Sequence, residues 1–112
     1  MRRTAPSLAA LLTAAAAALA LTPTANAVTS VDVQCESGGS KYMCFAFHDA
    51  QAPSTIRWYV NGNYIPFLDN RTFTGQRGCS AGSYVTAQAV VSDATGSVTG
   101  TGGVICNAGP WP

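Results

Sequence analysis

Charged residues are scarce in this sequence, and their scarcity excludes several classes of protein. The 112 residues include six lysines and arginines, five aspartates and glutamates, and one histidine. A nucleic-acid-binding surface needs clustered lysine and arginine to neutralise phosphates. The cations here are scattered along the chain, so we expect no nucleic-acid partner.

Side chains that carry out catalysis or hold metals are also few. No two cysteines have the CxxC spacing of a zinc site, and His48 is the only histidine. His48 is followed by Asp49, but neighbours on a strand point to opposite faces, so the two cannot form an acid–base pair. Glu36 is the only glutamate, and no glycine-rich loop opens a helix that could cradle a phosphate. We therefore predict no enzyme activity, no metal and no cofactor.

The one long apolar run lies at the N-terminus and has the composition of a signal peptide. Two arginines precede LAALLTAAAAALALT, and the TANA that follows ends in the small residues of a cleavage site. We predict a signal peptide over 1–27 and a secreted, extracellular domain over 28–112. A retained anchor helix is the alternative, although no stop-transfer charge cluster follows. No second apolar run is present, so we expect no membrane association after cleavage.

The predicted mature domain is small and contains every cysteine of the chain. It has 85 residues and a net charge of −1, because four cations remain against five acids. A single core of this size is marginally stable, and secreted domains of this size usually add disulfides. The cysteines are Cys35, Cys44, Cys79 and Cys106.

Two predicted hairpins indicate how these cysteines pair. A Gly-Gly turn centred at 39.5 places Cys44 opposite Cys35. A turn centred near 94.5 places Cys106 opposite Ser83, four residues from Cys79. We therefore predict the disulfides Cys35–Cys44 and Cys79–Cys106.

Short alternating runs, separated by Gly, Ser, Asn and Asp, make up the rest of the chain and are typical of an all-β sandwich or barrel. In IRWYVNGN, Ile56, Trp58 and Val60 alternate with more polar residues, and Asn61-Gly62 is a strong two-residue turn signal. The predicted strands cover 30–36, 41–48, 55–61, 63–67, 71–75, 83–91 and 97–106. The last is rich in Gly and Thr, so we predict an edge strand.

The second predicted strand could present either of its faces to the core. Phe45 and Phe47 alternate with Cys44 and Ala46. Because phenylalanine buries much more apolar area, we predict that Phe45 and Phe47 face inward and that the disulfide lies on the surface. A bulge, or an exposed apolar patch, are the alternatives.

Three features follow one another along the chain: Cys44, Trp58 fourteen residues later, and the tyrosine-led run SYVTAQAVVSDATGSV. Together they resemble a bacterial immunoglobulin-like or polycystic-kidney-disease-type β-sandwich, in a small secreted protein of actinobacterial type. The resemblance implies an immunoglobulin-like antiparallel β-sandwich of about seven strands. It also implies that WYVNG is the strand that carries the core tryptophan. In an immunoglobulin-type arrangement, Cys44 would instead form a disulfide with Cys106, and Cys35 would form one with Cys79. This pairing stays an alternative.

Trp58 has two interpretations with different functional consequences. We predict that Trp58 fills the core. The domain is then expected to be a non-catalytic, monomeric binding or structural module. Its expected partner is a protein or a cell-surface component. Alternatively, Arg57, Trp58 and Tyr59 form an exposed triplet. Small secreted α-amylase inhibitors carry a similar Trp-Arg-Tyr triplet, so that arrangement would indicate an inhibitor of a secreted hydrolase.

A partner-binding surface is predicted around the segment after the Asn-Gly turn. Tyr64, Phe67 and Arg71 are residue types enriched at binding hot spots, and Tyr59 extends the same surface from the strand face opposite Trp58. The alternative is that Phe67 and Phe73 cap the core.

Overall fold

The chain folds into two antiparallel β-sheets that pack face to face. A computed structural model describes residues 27–112, so the predicted signal peptide lies outside the described residues except for Ala27. The elements are β1 Val31–Gly38, β2 Lys41–His48, β3 Thr55–Val60, β4 Asn63–Tyr64, a 3-10 turn at Pro66–Leu68, β5 Arg77–Gly78, β6 Tyr84–Asp93 and β7 Gly96–Ile105. The predicted all-β sandwich of seven strands is confirmed.

The chain passes from one sheet to the other three times. One sheet has the strand order β1-β2-β5, and the other has the order β4-β3-β6-β7. The crossings follow β2, β4 and β5, so each sheet contains strands that are distant in sequence. β7 lies at the edge of its sheet, as predicted from its glycine and threonine content.

Hairpin registers place the cysteines as the sequence predicts. Cys35 lies directly opposite Cys44 in the β1–β2 ladder. In the β6–β7 hairpin the amide of Cys106 donates to the carbonyl of Ser83 at 2.7 Å. The disulfides are Cys35–Cys44 and Cys79–Cys106, and the alternative pairing is wrong.

The segment between β3 and β6 contains less strand than predicted. β4 stops at Tyr64 because Pro66 has no amide hydrogen for a ladder and opens the 3-10 turn instead. Within the predicted strand 71–75 only Phe73 pairs, through an isolated bridge to Phe45. The fifth strand is the two-residue pair that contains Arg77, further along the chain.

Trp58 lies at the centre of the core, as predicted. Its side chain is 0% exposed, and its indole Nε1 donates to the carbonyl of Arg71 at 2.7 Å. The fully or nearly fully buried hydrophobic residues around it come from both sheets and from the 3-10 turn: Val33, Tyr42, Cys44, Ala46, Ile56, Leu68, Val85, Ala87, Ala89 and Val91.

The predicted orientation of β2 is wrong. Cys44 and Ala46 are buried, whereas the side chain of Phe47 is 55% exposed. Cys44 and Ala46 belong to the same buried cluster as Trp58. Because the indole already fills the space between the sheets, β2 turns Tyr42 and the small Cys44 and Ala46 inward and its phenylalanines outward.

Two glycines let the sheets approach closely at the β1–β7 end. A Cβ atom at Gly100 would lie 2.5 Å from the carbonyl oxygen of Val31, and one at Gly102 would clash with the carbonyl oxygen of Val33. The backbone of β1 therefore occupies the space that side chains would otherwise fill. We call this contact the glycine seam.

Substituting alanine for Gly100 is expected to lower the free energy of unfolding by about 1–3 kcal/mol, as overpacking does in a tight interior. Gly78 is the matched control, because a Cβ atom there would have no neighbour within 4 Å. Gly78→Ala should leave stability close to that of the unsubstituted protein. Urea unfolding of both variants measures the difference, and equal midpoints would contradict the close approach of β1.

Candidate binding surfaces

The predicted surface begins with two tyrosines that a tight turn brings together. Asn61 and Gly62 have φ angles of 51° and 84°, the left-handed conformation of a two-residue hairpin turn. The turn places Tyr59 opposite Tyr64 in the β3–β4 ladder. Their ring centroids are 5.5 Å apart, and the side chain of Tyr64 is exposed.

An aspartate holds Tyr64 in place from the end of the 3-10 turn. The Tyr64 hydroxyl lies 2.8 and 2.9 Å from the two carboxylate oxygens of Asp69 and donates its hydrogen to them. This hydrogen bond raises the pKa of Tyr64. The Nε of Arg57 lies 3.7 Å from the same carboxylate. Tyr64 is therefore an anchored ring with one exposed side.

Phe67 and Arg71 form a second exposed pair on the same segment. The Phe67 side chain is 70% exposed, and the guanidinium carbon of Arg71 lies 4.9 Å from its ring centroid. Leu68, which follows Phe67, is the residue that fills the core. The alternative in which Phe67 and Phe73 cap the core is wrong, because both are exposed. We call Tyr59, Tyr64, Phe67 and Arg71 the tyrosine surface.

A second surface lies on the outer side of the three-stranded sheet. The rings of Phe45 and Phe73 stack with centroids 4.5 Å apart and an interplanar angle of 15°. Phe47 continues the row at 6.4 Å from Phe45 and 19°. Phe47 and Phe73 are exposed. We call Phe45, Phe47 and Phe73 the phenylalanine face.

A shallow cavity borders the phenylalanine face. Its volume is about 340 Å³, and it is lined by Phe45, Ala46, Phe47, His48 and Thr72. The Nδ1 of His48 accepts a hydrogen bond from the amide of Ala50 at 3.1 Å. In the neutral imidazole this leaves the hydrogen on Nε2, so His48 offers a donor at this end of the face. The volume lies at the lower end of the range for small-molecule sites.

Acidic side chains run beside the phenylalanines on the same face of the sheet. Asp32 lies opposite Phe47 and Glu36 lies opposite Met43. Gln34, between the two acids, donates from its side-chain amide to Asp32 at 2.8 Å. All three side chains on β1 are exposed. We call Asp32, Gln34 and Glu36 the acidic row.

Two other carboxylates hold the segment that precedes β1. Asp49 accepts hydrogen bonds from the backbone amides of Thr29 and Ser30 and from the Thr29 hydroxyl, and these bonds lower its pKa to about 2. Asp93 accepts a hydrogen bond from the amide of Val28 at 2.7 Å. Asp49 therefore binds backbone in this structure and makes no hydrogen bond to His48.

Residues 27–112 contain no group of three or more His, Cys, Asp and Glu side chains that could hold a metal ion. In the same part of the chain, no helix is long and apolar enough to cross a membrane. The two surfaces instead offer aromatic rings, a cation and carboxylates, which suit contact with another molecule.

One of these exposed surfaces is predicted from the sequence, and the other is missed. The tyrosine surface follows from hot-spot residue types after a turn, and the structure brings its residues together as two pairs. The phenylalanine face was assigned to the core, because alternation alone does not say which side of a strand is buried. The sequence does contain a signal for the observed orientation of β2. The small residues Cys44 and Ala46 lie on the face of the strand that packs in the same core as Trp58.

Comparison of the chain with protein-family models, with curated proteins and with solved structures gave no match. A function for this protein therefore has to be proposed from the chemistry of its own surfaces. The two are chemically distinct: the tyrosine surface carries Arg71, whereas the phenylalanine face is bordered by acids.

Proposed function

We propose that this chain is a secreted, non-catalytic, immunoglobulin-like module that acts as a monomer and binds a protein or a cell-surface component. The observation that carries the proposal is the phenylalanine face. Three phenylalanine rings stack on the solvent side of a sheet whose inner side is already packed. Contiguous exposed apolar patches with a polar rim mark interaction sites in soluble proteins.

Secretion is supported by two independent features. The N-terminal residues have the charge and apolar pattern of a signal peptide. All four cysteines of the domain are paired in disulfides, which persist in oxidising extracellular environments. Both features suit a small domain released after cleavage at Ala27.

The phenylalanine face is the better supported of the two candidate contacts. Within residues 27–112 no cation lies over its rings, and a cavity lies beside them. In the tyrosine surface, by contrast, Tyr64 and Phe67 already have partners in Asp69 and Arg71. Exposed aromatic side chains of this kind are enriched at protein interfaces.

An inhibitor built on an exposed Arg57-Trp58-Tyr59 triplet finds no support here. Trp58 is fully buried and hydrogen-bonded to the backbone. Its ring could reach a hydrolase only if the core opened. An inhibitory contact with a secreted hydrolase would have to use one of the two exposed surfaces instead.

Capture from the producer's culture supernatant and cell-wall fraction tests the proposal. The bait is the chain isolated from the supernatant, with Val28 as its first residue by mass spectrometry. We expect Phe47→Ser to abolish capture of the partner, because it removes the most exposed ring of the face. Phe67→Ser is the matched control, since it removes an even more exposed phenylalanine from the tyrosine surface.

Both variants should melt at the temperature of the unsubstituted protein, because neither side chain is in the core. If Phe47→Ser still captures the partner while alanine at Tyr64 and Arg71 prevents capture, the contact is the tyrosine surface. That result would overturn the assignment to the phenylalanine face.

A further inference from the structure

The phenylalanine face and the acidic row form one surface with two parallel rows of different chemistry. Asp32 is the direct cross-strand neighbour of Phe47, and Gln34 is that of Phe45. Side chains opposite each other on one face of an antiparallel pair have Cβ atoms about 5 Å apart. One ring, that of Phe47, therefore lies beside a carboxylate, while Glu36 lies opposite Met43 further along the same face.

The carboxylates of the acidic row have no cation to neutralise them within the sheet. The one ion pair found in residues 27–112 joins Arg57 and Asp69, which belong to the other sheet and its 3-10 turn. Lys41 is the only lysine or arginine on the outer side of β2; it lies far from Asp32 but is the diagonal neighbour of Glu36, with which it forms no ion pair in this structure. Asp32 and Glu36 are exposed and form no ion pair in residues 27–112, so both carboxylates are available to a cation of another molecule.

We infer that the occupant of this surface is a basic amphipathic helix of a partner protein. Its apolar stripe would cover Phe45 and Phe47, and lysines or arginines on the flank of the stripe would reach Asp32 and Glu36. This inference rests on the proposed function, because it names the class of partner for the same face.

The side-by-side arrangement of the two rows favours a helix over an extended segment. An amphipathic helix presents an apolar stripe bordered by charged side chains on one side of the element. In a strand, successive side chains point to opposite faces, so neighbouring apolar and basic residues cannot both contact this surface. An anionic occupant, such as an acidic polymer, would be repelled by Asp32 and Glu36.

Two synthetic helical peptides of about 14 residues provide the probe. One carries leucine along a single stripe and lysine on its flanks, and the other has glutamate in place of every lysine. Titration of the oxidised protein with each labelled peptide, followed by fluorescence anisotropy, gives the two dissociation constants. We expect the lysine peptide to bind at least about tenfold more tightly than the glutamate peptide.

Variants separate the apolar contribution from the charged one. Phe47→Ser should eliminate binding of the lysine peptide, whereas Phe67→Ser should leave its dissociation constant within about twofold. The double variant Asp32→Asn, Glu36→Gln should reduce the preference for lysine to less than about threefold. It should also weaken the dependence of binding on salt, since screening acts on the charged pairs.

The results that overturn the inference differ from those that overturn the proposed function. Equal binding of the two peptides would show that the face recognises apolar surface without regard to charge. Failure of both peptides, with Phe47→Ser still abolishing partner capture, would show that the occupant is not a basic helix. In either case the phenylalanine face remains the contact, and only the class of partner is wrong.

Discussion

Replacing Trp58 with alanine is expected to lower the free energy of unfolding by about 3–5 kcal/mol, the range for truncating a large buried aromatic side chain. The indole is fully buried between the two sheets, so its removal opens a cavity that β2 and β6 cannot close without losing their own packing. The carbonyl of Arg71 also loses its donor. A domain of this size has about 4–13 kcal/mol of stability, so the substitution should remove from about a quarter to all of it.

Guanidinium or urea unfolding, followed by circular dichroism, measures the loss. Trp58→Phe separates its components, because it keeps much of the apolar volume but removes the hydrogen bond to Arg71. Phe67→Ala is the control for aromatic truncation at the surface and should change the unfolding midpoint little. An unchanged midpoint for Trp58→Ala would place the indole outside the core and restore the exposed-triplet hypothesis.

Removing the Cys79–Cys106 disulfide should have the second large effect. Its loop of 28 residues corresponds to about 3.6 kcal/mol in the chain-entropy model, whereas the 10-residue loop closed by Cys35–Cys44 corresponds to about 2.7 kcal/mol. Cys79 follows the last strand of one sheet, and Cys106 follows the last strand of the other. This disulfide therefore joins the sheets, while Cys35–Cys44 lies within a single hairpin.

Double alanine variants of each pair allow a direct comparison. We expect the variant lacking Cys79–Cys106 to unfold at the lower denaturant concentration, although both should be less stable than the oxidised protein. Mild reduction of the unsubstituted protein is the matched control and should approach the sum of both effects. The opposite order of stability would show that the hairpin disulfide, and not the link between sheets, determines stability.

Hairpins were predictable from this sequence because turn chemistry acts locally. The turn between β1 and β2 and the turn between β6 and β7 both determine which residues face each other, and the cysteine pairing follows from those registers. A short turn determines which residues of the two strands are paired, and the alternation of side chains along a strand then determines which of them share a face. Local sequence signals were therefore sufficient to predict the hairpins.

The orientation of β2 was not predictable in the same way, because it depends on the opposite sheet. Alternation along the strand describes two faces, and only the volume already occupied by Trp58 decides which of them is buried. Burial of Phe45 and Phe47 would have been favourable by area alone. The space between the sheets is limited, however, and Trp58 occupies it. Phe45 and Phe47 therefore lie on the outer side of β2, in the phenylalanine face.

The segment after β4 departed from prediction for a different reason. Its residues have strand propensity, but Pro66 removes a donor and Asn70 takes a left-handed φ of 63°. The side chain of Asn70 then accepts from the amide of Ile56 at 2.9 Å, which ties the loop to β3. Such a contact between side chain and backbone replaces ladder pairing and leaves no periodic signal in the sequence.

The glycine seam also bears on how relatives of this protein could be recognised. Most core positions tolerate exchange among apolar residues of similar volume, so a pattern of hydrophobic residues identifies few families. At Gly100 and Gly102 the neighbour is backbone, which cannot be repacked to admit a side chain. Chains that share this sandwich should therefore keep the spacing G-x-G-x-x-x-C that ends at Cys106, while exposed Thr101 and Ile105 within it are free to diverge.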